Sequence, residues 1–342
     1  MFSKLVGNDH IKEILKRFIS NKRVPNSLLF AGEEGIGKRL FALEFAKSFV
    51  CQNPKNGEAC NQCPACARAD RFTFPKADDR DDHKKVIFSE HADIGTVIPY
   101  KRNILVDAIR HLETEANFRP FEAASRFFII DDADKMNAEA SNALLKTLEE
   151  PPASSHIFLI SSRPDALLPT IRSRVQTLRF APIETEEIKK HLLSTKQFSQ
   201  TDAEILAKLA HGRLGSALEL DLEKFRARRE LMFKVLQSLL QTNDRAVLLQ
   251  TAEEMNDAKN KDDYEKYLDA LQTLIHDIWT LKIGGTQIIN ADIKVHLKRF
   301  TENADSKKLS NWLTEIELMR ERFAVNINKK IATDALFMQM AG

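Results

Sequence analysis

Cysteine is scarce in this 342-residue chain, and all four lie between positions 51 and 66. A disulfide framework spread through the fold is thereby excluded, and an ordinary reducing, cytoplasmic setting is expected. Long hydrophobic runs are also missing. No stretch approaches the roughly 20 apolar residues of a membrane-spanning helix. The opening Met1-Phe2-Ser3-Lys4-Leu5-Val6-Gly7 lacks the apolar stretch of a signal peptide. Charge of one sign is not in excess: 51 Lys and Arg stand against 49 Asp and Glu, a formal net charge of +2. That excludes a polybasic tail or a strongly positive nucleic-acid domain, so any contact with DNA is expected to be weak or to pass through partners. There is no internal repeat and no low-complexity tract.

What is present is enough apolar material for more than one core. The hydrophobic share is 43% and the charged share 29%, which fits a helix-rich protein of two or three domains. Residues 8–20 carry Ile11, Leu15, Phe18 and Ile19 at helical spacing. Ser27-Leu28-Leu29-Phe30-Ala31 reads as a buried parallel strand, followed by a glycine-rich loop and a helix from Lys38 to Phe49. That helix has apolar Leu40, Phe41, Leu43, Phe45, Ala46 and Phe49, a pattern for burial on more than one side. Phe72 to Lys85 is polar and reads as a solvated loop. Strands are expected at 86–88, 126–130, 156–160 and 175–180, with helices at 104–115 and 137–150, the latter stopped by Pro151-Pro152. Strands alternating with helices predict an α/β domain on a parallel sheet over 1–180. From Pro182 onward the pattern is helical throughout, and it divides into a small domain at 181–225 and a larger one at 226–342. In the latter, Tyr267 to Trp279 carries an apolar stripe that suits bundle packing.

Three short patterns carry chemistry. Gly32-Glu33-Glu34-Gly35-Ile36-Gly37-Lys38 fits G-x-x-x-x-G-K between a strand and a helix. Glycines let backbone N–H groups curl around phosphate oxygens, the helix N-terminus adds its positive end, and Lys38 supplies charge for the outer phosphates. The next position calls for a hydroxyl that holds Mg²⁺, and here it is Arg39. Nucleotide binding, as ATP or ADP, is compatible with that change, whereas Mg²⁺-dependent hydrolysis is put in question. Phe127-Phe128-Ile129-Ile130-Asp131-Asp132 is an apolar strand tipped by carboxylates, with Asp131 where a metal-reaching carboxylate belongs. Cys51, Cys60, Cys63 and Cys66 read C-x8-C-x2-C-x2-C. Four thiolates satisfy a tetrahedral Zn²⁺ with no position left for water, a structural site; an iron–sulfur cluster or a redox pair are the rival readings. His83 and His91 are read as surface residues. Arg163, Arg172 and Arg174 form a small cluster that chemistry alone reads first as a solvated face or helix cap, and only second as a phosphate clamp reaching a neighbour's site.

These patterns together resemble the clamp-loader AAA+ proteins over nearly the whole chain. The resemblance rests on Val6-Gly7-Asn8, Leu29 through Lys38, the four cysteines placed after the phosphate-loop helix, Ile130 through Met136, Asn142 through Pro152, and Leu168 through Arg174. It implies a P-loop AAA+ domain with an inserted zinc module at 51–66, a helical lid at 181–225, and a helical collar at 226–342 that joins five subunits in a ring. It further implies that Ser173-Arg174 offers an arginine finger to a neighbouring motor subunit. The partners so implied are gamma/tau-type motors and a delta-type subunit in a hetero-pentamer, with the sliding clamp and primed DNA reached through the complex.

Three departures separate this chain from working motors in the family. Arg39 replaces the Mg²⁺-binding hydroxyl. Asp132 stands where motors carry a catalytic Glu, one methylene short. In His211-Gly212-Arg213-Leu214-Gly215-Ser216-Ala217, Gly215 takes the place of the phosphate-sensing Arg. The expectation is a stator subunit, weakly active or inactive as an ATPase on its own. The alternatives are a motor ATPase, favoured by Gly37-Lys38 and Asp131, and a zinc-dependent DNA-binding protein, which the near-neutral charge disfavours.

Overall fold

The computed structural model describes residues 2–21, 23–257, 263–323 and 328–342. Contacts gather these into two compact units: Met1–His191 with Ala210–Leu218, and Leu192–Leu209 with Glu219–Gly342. Residues 181–225 therefore contribute to both.

The strands of the first unit are β1 (Ser27–Ala31), β2 (Ile87–Phe88), β3 (Ile94–Val97), β4 (Arg126–Ile130), β5 (Ser155–Ser161) and β6 (Gln176–Arg179). They form one sheet in the order β2-β3-β4-β5-β1-β6, parallel except for β2, which runs antiparallel to β3. β1, β4 and β5 are buried along their full length, as continuous apolar runs covered by helices should be. Alternate residues serve opposite faces. Leu29, Phe128, Ile130, Ile157 and Leu159 pack on one side with Ile109 and Leu112 of α4 (Val106–Ala116) and Leu144 of α5 (Ala138–Glu149). Leu28, Phe30, Phe127, Phe158 and Ile160 pack on the other with α1 (Asp9–Ser20) and α2 (Lys38–Val50). There Phe158 touches the rings of Phe30 at 5.7 Å, Phe45 at 5.5 Å and Phe127 at 5.7 Å.

The helix boundaries follow local chemistry. The Asn137 side chain accepts from the Ala140 amide and caps α5, and Pro151-Pro152 follow its end. Leu40 on α2 is 57% exposed, so that helix buries one broad face rather than all of its apolar positions. Strand β3 is not among the strands expected from sequence. Four residues containing a glycine give a weak signal, yet Gly95 is required: a Cβ there would meet Val86 Cγ1 at 2.5 Å. The segment 72–85 is largely exposed as expected. His83 and His91 are not surface residues, however. Both are buried, His83 with Nδ1 2.5 Å from the Asp79 carbonyl and His91 with its amide on Ser89 Oγ.

The remaining helices are α3 (Pro64–Ala69), α6 (Pro169–Arg172), α7 (Thr185–Ser194), α8 (Gln200–Leu209), α9 (Leu214–Glu219), α10 (Leu222–Gln237), α11 (Arg245–Met255), α12 (Tyr264–Lys282), α13 (Lys294–Asn303), α14 (Ser306–Phe323) and α15 (Lys329–Ala341). In the second unit the apolar stripe of α12, with Tyr267, Leu268, Leu271, Leu274, Ile275 and Ile278, is internal packing against α10 to α15. Its buried Asp277 accepts the Ile289 and Asn290 amides and so fixes the loop before α13. No helix among the described residues is long and apolar enough to cross a membrane.

The sheet positions the site. Ala31 pairs with Ser161, and Ile130 with Leu159, so the carboxyl ends of β1, β5 and β4 lie side by side. Ligands of open α/β sheets bind at that edge.

Candidate functional site

The glycine loop leaves β1 and turns into α2. Gly35 and Gly37 have φ of 78° and 93°, a left-handed backbone that only glycine adopts freely. Lys38 is buried, and its Nζ donates to the carbonyls of Gly32 at 2.8 Å and Glu33 at 2.6 Å. Burial lowers the Lys38 ammonium's pKa, although the nearby Asp131 and Asp132 favour its charge. The loop is met from one side by residues 213–216. The Gly215 amide donates to the Gly35 carbonyl at 2.8 Å. A Cβ at Gly215 would stand 3.1 Å from that oxygen and 3.3 Å from Gly35 Cα. A long side chain at 215 therefore requires the loop to shift. Arg213 turns its Nε to the Ala210 carbonyl.

At the tip of β4, Asp131 is engaged at both oxygens. Oδ1 accepts the Asp132 amide at 3.2 Å, and Oδ2 lies 3.2 Å from Arg39 Nη1. Burial raises the Asp131 carboxyl, opposed by the Arg39 guanidinium. Asp132 adopts a left-handed φ of 49° and pairs with Lys135 at 2.7 Å. Between these strands Ser161 Oγ donates to Asp134 Oδ1 at 2.7 Å, while Arg163 Nη2 holds Asp134 Oδ2 at 3.1 Å. Arg163 is thus a structural partner. The role of Asp134 in tying the ends of β4 and β5 had no sequence signal beyond its place after the acidic pair.

Arg174 lies elsewhere. It precedes β6, whose first residue Gln176 pairs with Leu28 near the start of β1. It therefore lies at the amino edge of the sheet, beyond Gln176, which is itself about 13 Å of strand away from the phosphate loop. The side chain is partly exposed, with Nη2 2.6 Å from Glu149 Oε1 and Nη1 2.9 Å from the Thr170 carbonyl. Arg172 pairs instead with Asp165 at 2.7 Å. The Glu149 partner was not anticipated from sequence.

The four cysteines converge. Their sulfurs all lie within 4.8 Å of one another, and Cys51 Sγ to Cys63 Sγ is 3.9 Å. Ligand sulfurs on a tetrahedral ion with bonds of about 2.3 Å stand roughly 3.8 Å apart. Amides point at the thiols: Cys60 N to Cys51 Sγ, Cys63 N to Cys60 Sγ, and Cys66 N to Cys63 Sγ. Burial works against ionisation at Cys63, but hydrogen bonds from the amides of Cys66 and Gln52, together with those to the Cys66 and Cys60 thiols, outweigh it and bring that thiol down to about 6. Burial raises Cys66. The set can hold a metal ion. No histidine belongs to it among the described residues. The module is tied to the sheet unit twice: Lys47 of α2 binds Asp70 at 2.8 Å and Glu44 at 2.8 Å, and Arg68 of α3 makes two 2.7 Å bonds to Glu122.

A parallel-sheet phosphate-loop domain of this order, with a cysteine knuckle after the loop helix and a helical C-terminal unit, is the arrangement expected from the resemblance to clamp-loader AAA+ proteins. The chain belongs to the family described as "DNA polymerase III, delta subunit", whose model matches residues 7–184, and the model of that family's C-terminal domain matches 223–340. It is 28% identical over 320 residues to DNA polymerase III subunit delta' of Bacillus subtilis (strain 168), covering 93% of this chain and 91% of the relative. It is 30% identical over 224 residues to DNA polymerase III subunit tau of the same organism, covering 64% of this chain and 37% of tau. A solved gamma subunit-related protein of Thermotoga maritima matches at TM-score 0.41 and 20% identity, covering 96% of this chain and 98% of that one.

Proposed function

We propose that this chain is a delta-prime-type stator of the DNA polymerase III clamp loader, working with motor (gamma/tau) and delta subunits in a hetero-pentamer in the cytoplasm to place the sliding clamp on primed DNA. The observation that carries the reading is the Arg39–Asp131 ion pair, which occupies the place where a motor keeps Mg²⁺. The short Asp132, already paired to Lys135, and the glycine at 215 point the same way. The division into sheet domain 1–180, lid 181–225 and collar 226–342 belongs to this reading.

Arg174 is the arginine finger in the proposal. A guanidinium at the amino edge has no path to its own phosphate loop, so a phosphate that it touches belongs to a neighbour. Thr170 and Glu149 hold it partly exposed and aimed, and an aimed guanidinium loses less entropy when it binds. The cysteines hold Zn²⁺ as a structural ion; four sulfurs within 4.8 Å of one another, with a 3.9 Å separation between two of them, support it.

The test is ATP hydrolysis. The purified chain alone should show no DNA-stimulated turnover. In the reconstituted complex, Arg174→Ala should lower ATPase activity by roughly tenfold or more while assembly is retained. An unchanged rate removes the finger assignment, and turnover by the isolated chain that Lys38→Ala abolishes makes it a motor.

A further inference from the structure

A phosphate loop followed by a hydroxyl, beside a strand-end carboxylate, holds Mg²⁺ between hydroxyl, carboxylate and outer phosphates. The residues here do not fit that ion. The hydroxyl is replaced by Arg39, which has five donors and no acceptor. The carboxylate that would reach the ion already accepts the Arg39 guanidinium at 3.2 Å and the Asp132 amide at 3.2 Å. Nor is Arg39 a loose surface side chain. Its guanidinium carbon sits 4.9 Å from the centroid of Phe74, and Phe74 stacks on Phe72 at 5.7 Å and 17°. Phe72 is anchored in turn by a bridge to Ser89. The guanidinium is held between a carboxylate and an aromatic face, both of which favour a cation.

We propose that Arg39 is a built-in cation in the metal's place, so that this site takes a nucleoside 5′-diphosphate or triphosphate free of divalent metal. The loop amides and Lys38 supply the rest of the phosphate recognition, as in any such loop. Asp131 becomes a counter-ion that orients Arg39 instead of a metal ligand. Phe74, from the segment just after the cysteine module, covers the far side of the guanidinium. A divalent ion then competes with the site for the phosphates instead of joining them to it. The inference rests on the stator reading, but its test does not share that reading's outcome, because it measures binding by the isolated chain and not hydrolysis in the complex.

The probes are the fluorescent N-methylanthraniloyl derivatives of ADP and ATP, titrated against the purified full chain in excess EDTA and again in excess Mg²⁺. Affinity in EDTA should equal or exceed that in Mg²⁺. In Arg39→Ser, which restores the hydroxyl, affinity in EDTA should fall by roughly tenfold or more, the worth of a charge-assisted bond, and Mg²⁺ should now improve binding. Phe74→Ala should weaken binding in EDTA without creating a Mg²⁺ requirement. Circular dichroism of each variant establishes that it is folded. Binding by the unaltered chain that is tighter in Mg²⁺ than in EDTA overturns the proposal. So does the absence of saturable binding in both buffers, or an Arg39→Ser variant that still binds in EDTA as well as the unaltered chain does.

Discussion

Asp134 shows how much one side chain can hold. It sits four residues beyond β4, yet it binds Ser161 Oγ, the Ser162 amide and Arg163, all at the end of β5. Burial pushes its carboxyl up, but those hydrogen bonds outweigh burial and leave it below the ordinary carboxylate range. The folded value is therefore below the unfolded one, about 3.9. Ionised Asp134 stabilises the fold above that pH, and the contribution is lost as pH falls through the folded value. Asp134→Asn should lower the melting point at neutral pH, by about 1–3 kcal/mol in stability, because Arg163 and Ser161 keep donors with no charged acceptor. It should also flatten the acid limb of melting point against pH below about 4. An acid limb as steep as that of the unaltered chain would show that Asp134 is not the group responsible. Arg39 belongs to this scale as well: the same substitution was legible in sequence as a lost hydroxyl, but its ion pair with Asp131 was not.

Among the elements, β5 is the keystone of the sheet unit. It lies between β1 and β4, pairs with both, and is buried over all seven residues. Phe158 is 0% exposed and touches rings from β1, α2 and β4. Phe158→Ala should cost about 3–5 kcal/mol, measured by urea unfolding of the sheet unit. A loss under about 1 kcal/mol would mean that the cluster closes around the gap. The elements themselves were readable where the pattern was long: α1, α2, α5, β1, β4 and β5 lie within a residue or two of their expected bounds. β3 was not. Its strand character depends on β4 offering a ladder, with Ile94 opposite Phe127 and Val97 opposite Ile130, and nothing within the four residues reports that partner. His83 and His91 failed for a related reason. The polar residues around them in sequence suggest solvent, while in space His83 meets the Asp79 carbonyl and Tyr100, and His91 meets the turn before β3 and the Glu122 carboxylate.

For the molecule as a whole, the two units have separate cores, one around the sheet and one around α12. The cysteine module is bonded to the first through Lys47–Asp70 and Arg68–Glu122. Stripping the proposed Zn²⁺ should therefore lower the melting transition of the sheet unit and leave that of the helical unit in place. Calorimetry of the full chain with and without a zinc chelator, and of Cys63→Ser, reads this directly. Equal shifts of both transitions, or none in either, would contradict a stabilising ion confined to the sheet unit.

The sequence by itself determined the class of fold, the phosphate loop, the acidic strand end and the closed set of four cysteines. Each is a local pattern: period, glycine placement and ligand spacing act over a few residues, so the chain carries them without a partner. Tertiary structure decided what those groups do to one another. Residues 39 and 131 are brought together because β1 and β4 flank β5 in the same sheet. Gly215 meets Gly35 because residues 210–218 fold back onto the sheet unit. Arg174 finds Glu149 because α5 and the turn before β6 both end at the amino edge. Contacts between residues far apart in sequence are set by strand order and packing, and no local period encodes them.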